Sequence, residues 1–384
     1  MTQKHYSATP LSTLSIVMLM VFYGCVESFA PDVVDTVHSY LVVDGLINNN
    51  GITVINLSRS QKISDNNKPQ AEAKASVVIQ EEQGPHYPLT EGRMGTYTSS
   101  YLTLNPQKKY RLYIKTAFNK EYVSDYVPVR YTPDFEVVWK VENEGLQIAI
   151  NSQGRENNTR YYRWQHEETW EFNSFIYSAW EYRNGQILPR TNNIFQCWRT
   201  ERNPVIKIAS TDNLSENVLS EHPLVLLPKN SEKLQVKYSI LVKQQSLTKE
   251  AYQYWETLSK NTENIGTLFD PFPSQLTGNI TCLNDPKEPV FGFVSVTNEI
   301  EKRIFISTYA DLPTSWHGIN RKSITYASCE TGLMGKDGLT PANPAYLIVD
   351  RVMLEDGSMD YTYSSVGCVD CRLRGTNVMP DFWH

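Results

Sequence analysis

The sequence predicts a mainly β protein with a β-sandwich architecture, and three observations lead to this fold class. First, the 384 residues include 23 Tyr, 8 Trp and 20 Pro, and aromatic side chains favour the pleated, half-buried surface of a sheet. Second, short β-branched segments bounded by turn residues recur along most of the chain. Third, one segment alone stands out for helical periodicity, so we expect a single prominent helix. The C-terminal segment is expected to be loop-rich.

The amino terminus predicts export and lipidation. An apolar stretch at residues 14–24 ends at Cys25; it is too short to span a bilayer but suits the h-region of a signal peptide. The small Gly24 before the cysteine resembles a bacterial lipobox. We therefore expect residues 1–24 to be a lipoprotein signal peptide. Cys25 is the predicted lipidation site, and residues 25–32 form the lipidated tether to the membrane.

The first domain is predicted at residues 33–130. Its strands are expected at Tyr40–Asp44, Ile52–Ser58, Ala75–Glu81 and Tyr110–Ile114. The spacing Leu104-x-Pro106-x-x-x-Tyr110 resembles the tyrosine corner of immunoglobulin-like and fibronectin-type sandwiches. The sequence therefore predicts an N-terminal immunoglobulin-like β-sandwich.

The second domain is predicted at residues 131–384, after closely spaced prolines. It is expected to be a larger fibronectin-like β domain with insertions and a cystine-stapled C-terminal tail. The Phe382-Trp383 ending is expected to dock on this body. Its strands are predicted at Phe135–Val141, Leu146–Asn151, 159–172, Val205–Ala209, Leu234–Val242, Val290–Val296 and Lys302–Ser307.

Residues 159–172 alternate with a period of two, as a strand requires. This alternation places the large aromatic residues Tyr162, Trp164 and Trp170 on one face. Two interpretations are open: a binding platform for carbohydrate or peptide, or the core of the second sandwich. The core is favoured because large aromatic side chains dominate core burial.

The prominent helix is predicted at Lys249–Lys260, with Thr248 as its N-terminal cap. Its apolar side chains recur at helical spacing on one side; they are Ala251, Tyr252, Trp255 and Leu258. We expect this side to pack on the second sandwich.

Besides the predicted lipidated cysteine, the chain has five further cysteines. In an oxidising envelope they are expected to form disulfides. The pair Cys368-x-x-Cys371 lacks the second close pair that a zinc site needs, so structural bridges are preferred over a metal site. The candidates for these bridges are Cys282, Cys329, Cys368 and Cys371, which would tie the tail to Cys282 and Cys329. Cys197 is then the predicted free thiol.

The remaining motifs argue against an enzyme. His166-Glu167 resembles the start of a zincin motif, but Trp170 stands where a second histidine is needed. The chain has neither a Gly-x-Ser-x-Gly elbow nor a phosphate-binding glycine-rich loop. Its net charge of −6 is a poor match for nucleic acid. We expect a non-enzymatic protein that needs no metal or cofactor and binds no nucleic acid.

Several segments of the sequence, taken in order, resemble a known family. They are Tyr40–Ile47, Thr53–Ser58, Tyr161–Trp164, Glu168–Trp170, Cys197–Trp198, Gly278–Asn284, Gly292–Val294, Lys302–Ile306, Cys368–Arg372, Gly375–Asn377 and Pro380–Trp383. Together they are similar to the Bacteroidota lipoproteins grouped as domain of unknown function 4249. The resemblance implies an outer-membrane lipoprotein associated with TonB-dependent transport, and it transfers no catalytic residue.

These observations lead to one main hypothesis and two alternatives. The main hypothesis is an outer-membrane lipoprotein, exposed at the cell surface. It would act as an accessory or ligand-capture partner of an outer-membrane β-barrel of the TonB-dependent transporter type. The alternatives are a secreted glycan or peptide hydrolase, whose carboxylates the fold would bring together, and a structural or assembly component of an outer-membrane complex.

Overall fold

The computed structural model describes residues 39–61, 68–142, 145–154, 159–263, 278–319 and 329–384. With 51% strand and 10% helix, the protein is mainly β, which confirms the predicted fold class. Tyr40–His384 form one compact unit. The predicted signal peptide, Cys25 and the tether lie outside the described residues.

The described residues contain 23 strands, numbered in chain order. The first group is β1 (Leu41–Asn48), β2 (Asn50–Arg59), β3 (Ser76–Glu81), β4 (His86–Glu91), β5 (Thr96–Thr103), β6 (Lys109–Lys115), β7 (Glu121–Ser124) and β8 (Val127–Pro128). The second is β9 (Phe135–Glu142), β10 (Gly145–Gln153), β11 (Tyr161–Asn173), β12 (Trp180–Arg183), β13 (Gln186–Pro189), β14 (Gln196–Arg202), β15 (Lys207–Ser210), β16 (Val218–Pro228) and β17 (Lys237–Leu247). The third is β18 (Ile280–Cys282), β19 (Val296–Thr297), β20 (Glu299–Ser307), β21 (Gly332–Leu333), β22 (Tyr346–Met353) and β23 (Met359–Ser365).

Helices are few and short. The α-helices are α1 (Lys249–Glu263), α2 (Thr308–Asp311) and α3 (Val366–Val369). Single 3-10 turns occur at Glu232–Leu234, Thr314–Trp316 and Cys371–Leu373. Among the described residues, no helix has both the length and the apolar character needed to cross a membrane.

Strands β1–β8, β18 and β19 form one sheet, in the order β18-β7-β6-β3-β4-β5-β2-β1-β19 with β8 beside β6. Buried residues from both ends of this path, such as Ile47 and Tyr122, belong to a single apolar cluster. The sheet therefore folds over on itself and encloses the first core.

The predicted tyrosine corner is present in the first core. Tyr110 is fully buried, and its hydroxyl accepts a hydrogen bond from the Asn105 amide at 2.8 Å and donates toward Glu81 at 3.1 Å. Burial raises the pKa of Tyr110 to about 12, so the hydroxyl stays protonated at neutral pH. This contact holds the loop before β6 against the sheet.

We expect Tyr110→Phe to lower the free energy of unfolding by about 1–2 kcal/mol, because the Asn105 amide and Glu81 lose their shared partner. Urea denaturation followed by tryptophan fluorescence measures this change. Tyr131→Phe, at a position that is 60% exposed, serves as the control and should leave the free energy within about 0.5 kcal/mol of the wild type. Equal values for the two variants would refute a structural role for the corner.

The second core lies between two sheets. One is the three-stranded sheet β16-β10-β9, and the other is the sheet β14-β11-β17-β20 with β15 beside β11. Buried residues of both sheets form one cluster, including Ile148 of β10, Trp164 of β11 and Ile240 of β17. This arrangement is a β-sandwich.

The segment before β20 crosses to the first core. It was predicted as a strand over Val290–Val296, but only Val296–Thr297 form one, so most of that prediction is wrong. The segment nevertheless runs beside β1, where the Val43 amide donates to the Phe291 carbonyl at 2.8 Å. Gly292 permits this approach, since a Cβ there would lie 2.1 Å from the Val43 carbonyl oxygen.

The predicted domain division at residue 130 stays a prediction. Residues 278–298 lie within the range expected for the second domain, yet Ile280, Val290 and Val296 belong to the first core. The two cores are therefore not separated by a single point in the chain, and the chain passes between them more than once.

The predicted helix is confirmed as α1. The Ala251 amide donates to the Thr248 hydroxyl at 3.2 Å, which is the expected cap. Its apolar side packs against Tyr161 of β11 and also against Phe293, in a cluster that includes Trp255. The Tyr254 hydroxyl of α1 accepts a hydrogen bond from the Gly292 amide at 3.0 Å, so α1 contacts both the second sandwich and the crossing segment.

The cysteine pairing was predicted only in part. The disulfides are Cys329–Cys368, which is one of the pairings that the prediction allowed, and Cys197–Cys371. Cys282 is free and buried in the first core, so its assignment to a bridge and that of Cys197 to the free thiol were both wrong. The reason is topological: β18 carries Cys282 into the first core, whereas β14 brings Cys197 to the tail.

The C-terminal tail is stapled and docked as predicted. Trp383 is buried beside Phe305 of β20, with ring centroids 5.6 Å apart, and its indole N–H donates to Glu171 at 3.2 Å. Within the segment expected to be loop-rich, β21, β22 and β23 form a small antiparallel sheet that the local sequence patterns do not predict. The antiparallel pair β12–β13 was also missed.

Candidate functional site

A cavity of about 370 Å³ lies between the outward faces of the first sheet and of the second sandwich. We call it the interface cleft. It is lined by Asp44, Gly45, Leu46, Asn48, Ile52, Val54, Asn56, Arg163, Gln165, His166, Glu167, Arg202, Asn203, Lys243, Gln245 and Glu299. Its volume lies within the range of pockets that bind small ligands.

The wall on the second sandwich is polar because of the alternation along β11. Tyr162 and Trp164 point into the second core, so Arg163, Gln165 and Glu167 point the other way. Neighbouring strands extend this wall in register. Arg163 lies opposite Gln245 of β17, and Gln245 lies opposite Glu299 of β20.

Most charges of this wall neutralise one another. Glu299 accepts hydrogen bonds from Lys243 at 3.1 Å and from the Gln245 amide at 2.6 Å. Glu167 is paired with Arg202 at 3.0 Å and with Arg303 at 3.7 Å. These ion pairs fix the wall and leave one cation without a carboxylate partner.

That cation is Arg163. Its guanidinium lies 3.7 Å from the ring centroid of Trp255 on α1, and Nη1 donates to Gln245 at 3.3 Å. Its buried Nε has no hydrogen-bond partner, and no carboxylate of the described residues lies within ion-pairing distance. Burial lowers the pKa of Arg163 to about 10, so the side chain is still a cation at neutral pH.

The wall on the first sheet is formed by the outward face of β1 and β2. Here Asp44 lies opposite Asn56, and Leu46 lies opposite Val54. Ile52 and Val54 are 53% and 43% exposed and, with Leu46, give this wall an apolar part beside Asp44, Asn48 and Asn56. The side chain of Asp44 is exposed and forms no ion pair with another described residue.

The aromatic residues proposed as a binding face are not at the cleft. Tyr162, Trp164 and Trp170 are at most 2% exposed and belong to the second core. The binding-face interpretation is therefore corrected: β9 and β10 cover this side of β11, and the core interpretation is the right one. The functional candidates lie on the opposite face of the same strand.

His166 lies on the buried side of β11. It is 4% exposed, and neither ring nitrogen has a hydrogen-bond partner among the described residues. Burial lowers the pKa of His166, against the opposing effect of Glu168, so the imidazole is neutral at pH 7. Within the described ranges, no group of three or more His, Cys, Asp or Glu side chains is placed to hold a metal ion.

Two histidines, the buried His166 and the partly buried His222, make the stability depend on pH. Burial lowers the pKa of both His166 and His222, and His222 also stacks on Trp164 at 5.2 Å. Between the folded pKa and the unfolded value near 6.5, the unfolded chain binds more protons. The free energy of unfolding therefore falls as the pH falls below about 6.5.

We expect His222→Gln to reduce this pH dependence. Urea denaturation at pH 7.5 and pH 5.5 gives the change in unfolding free energy for each protein. The matched control is His86→Gln, at an exposed position on β4, which should keep the wild-type dependence. An unchanged dependence in His222→Gln would show that this histidine is not the titrating group.

Two further cavities flank the described body. One, of about 500 Å³, lies beside α1 and is lined in part by Tyr126, Gln253 and Asn279. The other, of about 460 Å³, lies beside Arg190 and Phe195. Of these three cavities, the interface cleft alone combines exposed apolar side chains with unpaired charges of both signs, so we take it as the candidate site among the described residues.

Comparisons with known proteins give a family but no activity. The family model described as "Domain of unknown function (DUF4249)" matches residues 26–303. No curated protein matches the chain. Two solved structures that are similar to parts of the chain have TM-scores too low to support any argument about fold or function.

The first is the chitinase ChiA74 from Bacillus thuringiensis, with 12% identity over 49% of this chain and a TM-score of 0.16. This chain spans 28% of the chitinase chain. The second covers manganese lipoxygenase of Gaeumannomyces graminis and part of zonadhesin of Komagataella pastoris. It has 8% identity over 55% of this chain and 89% of that chain, with a TM-score of 0.13.

Proposed function

We propose that this chain, which belongs to the DUF4249 family, is a lipid-anchored outer-membrane protein that captures a ligand in the interface cleft. It acts without catalysis, as the partner of a β-barrel of the TonB-dependent transporter type. The ligand would pass from the cleft to the barrel at the cell surface.

The interface cleft is the observation that carries this proposal. A binding site needs a concave surface with a few placed polar groups, and the cleft supplies both. Of its three carboxylates, Glu167 and Glu299 are engaged by cations and hold the wall in place, and Asp44 alone is free among the described lining residues. A hydrolase of this kind needs a facing pair of carboxylates as general acid and base, so the geometry favours binding over hydrolysis.

The predicted lipobox supports the membrane location. Cys25 follows an apolar stretch of h-region length, and acyl chains on its sulfur and amino group would anchor the protein stably. We expect Cys25→Ser to lose labelling by palmitate and to leave the membrane fraction. Cys282→Ser, at the buried free thiol, should keep both. A Cys25→Ser protein that is still labelled and membrane-bound would refute the anchor.

The partnership is tested by gentle detergent extraction of native membranes and affinity purification of an internally tagged chain. Mass spectrometry of the eluate should find a β-barrel transporter in stoichiometric amount. A monomeric chain without a barrel would contradict the partnership. The tag is best placed at Asp356–Gly357, in the exposed turn between β22 and β23.

A further inference from the structure

We infer that the interface cleft binds a zwitterionic ligand of the amino acid or short-peptide class, with its carboxylate on Arg163 and its ammonium on Asp44. The inference rests on the proposed capture role of the same cleft and names the chemistry of what is captured. Three features carry it: an unpaired cation, an unpaired anion, and an apolar surface next to the anion.

Arg163 is arranged as a carboxylate receptor. The guanidinium carbon of Arg163 lies 3.7 Å from the ring centroid of Trp255, so the indole covers one face of the guanidinium. The N–H groups lie in the guanidinium plane and point outward from its edge. Gln245 accepts a hydrogen bond from Nη1, and the buried Nε is out of reach of a ligand in the cleft. A carboxylate would therefore meet the terminal nitrogens of the guanidinium, whose N–H groups suit two parallel hydrogen bonds.

Asp44 is the complementary group on the opposite wall. The other acids of the cleft, Glu167 and Glu299, already have cationic partners, whereas Asp44 has none within 4 Å among the described residues. It also lies beyond ion-pairing distance of Arg163, yet its charge raises the pKa of Arg163 against the larger effect of burial. Asp44 and Arg163 therefore line the same cavity with opposite charges and do not form an ion pair with each other.

The space between these charges has an apolar side. Leu46, Ile52 and Val54 lie on the same outward face as Asp44. Exposed apolar side chains in a concave site stabilise a bound apolar group. A molecule with an ammonium, a carboxylate and an apolar side chain matches all three features, and the volume of about 370 Å³ limits it to a small one.

Isothermal titration calorimetry on the complete mature chain tests this inference with four probes. The probes are leucine, the tripeptide Ala-Leu-Ala with free termini, its N-acetylated form and its C-terminal amide. We expect leucine or the free tripeptide to bind, and each blocked form to bind about 10- to 100-fold more weakly because it loses one charged contact. Which of the two free probes binds better identifies the source of the zwitterion.

Variants assign each terminus to its wall. Arg163→Gln should weaken binding of the free probe by about tenfold or more and remove the discrimination against the amide. Asp44→Asn should weaken binding of the free probe to a similar extent and remove the discrimination against the acetylated form. The matched controls are Arg351→Gln and Glu136→Gln, both exposed strand residues away from the cleft, and they should bind as the wild type does. Circular dichroism and thermal melting establish that each variant is folded.

Two results would overturn the inference. One is equal binding of free and blocked tripeptides, and the other is the failure of both free probes to bind to a folded wild-type chain. Neither result would by itself remove the proposed capture role, which is tested separately by purification of the barrel complex. Conversely, a chain that binds the zwitterion but purifies without a barrel would keep this inference and refute the partnership.

Discussion

Replacing Lys233 with methionine should lower the free energy of unfolding by about 3–5 kcal/mol. The ammonium of Lys233 lies 2.6 Å from Glu168, a carboxylate that is 3% exposed in the second core. The other oxygen of Glu168 accepts a hydrogen bond from the buried Tyr238 hydroxyl at 2.7 Å. Without Lys233, the carboxylate stays in the core with only a neutral partner, and such an uncompensated charge is strongly destabilising.

A double variant separates the charge effect from lost packing. Lys233→Met combined with Glu168→Leu removes both charges, so it should be more stable than Lys233→Met alone. The control is Lys140→Met, since Lys140 forms an exposed pair with Glu221 at 3.2 Å, and exposed pairs contribute about 0–1 kcal/mol. Equal losses in the Lys233 and Lys140 variants would contradict the account of a buried ion pair.

Replacing both Cys197 and Cys371 with alanine should lower the free energy of unfolding by about 2–5 kcal/mol. This bridge joins residues separated by 174 positions, so it restricts the unfolded chain strongly. Both cysteines belong to the second core, and the bridge ties the C-terminal tail to β14. We expect the tail, including Trp383, to be the first part that loosens.

The second bridge provides an internal comparison. Cys329 and Cys368 are separated by 39 positions, so chain entropy predicts a loss about 1 kcal/mol smaller when they are replaced by alanine. Urea denaturation gives both values, and quenching of tryptophan fluorescence reports on the tail. A Cys197→Ala/Cys371→Ala protein with wild-type stability would contradict the structural role of the longer bridge.

The parts of the fold that were predicted correctly depend on local patterns. The alternation along β11 identifies its two faces, the Thr248 cap fixes the start of α1, and the spacing up to Tyr110 identifies the tyrosine corner. Each of these patterns spans at most about four turns of helix or one strand. Residues that are close in sequence are therefore enough to predict the structure there.

The parts that were missed depend on contacts between distant residues. The partner of Cys371 is set by where β14 lies, and the path of residues 290–296 is set by a strand, β1, that is about 250 positions away. The interface cleft also depends on contacts between residues that are distant in sequence. The alternation along β11 implies that Arg163 lies on its outward face, but no local pattern indicates that Asp44 lies on the facing wall.

The central claim is that the interface cleft holds a ligand, and native mass spectrometry of the chain purified from its own host membranes tests it most directly. Val54→Trp fills the cleft from an exposed position on its apolar wall, and Val141→Trp, on the exposed end of β9, is the matched control. We predict a bound small molecule on the wild type and on Val141→Trp, and none on Val54→Trp. A wild-type chain without added mass, or one whose added mass persists in Val54→Trp, would contradict the claim.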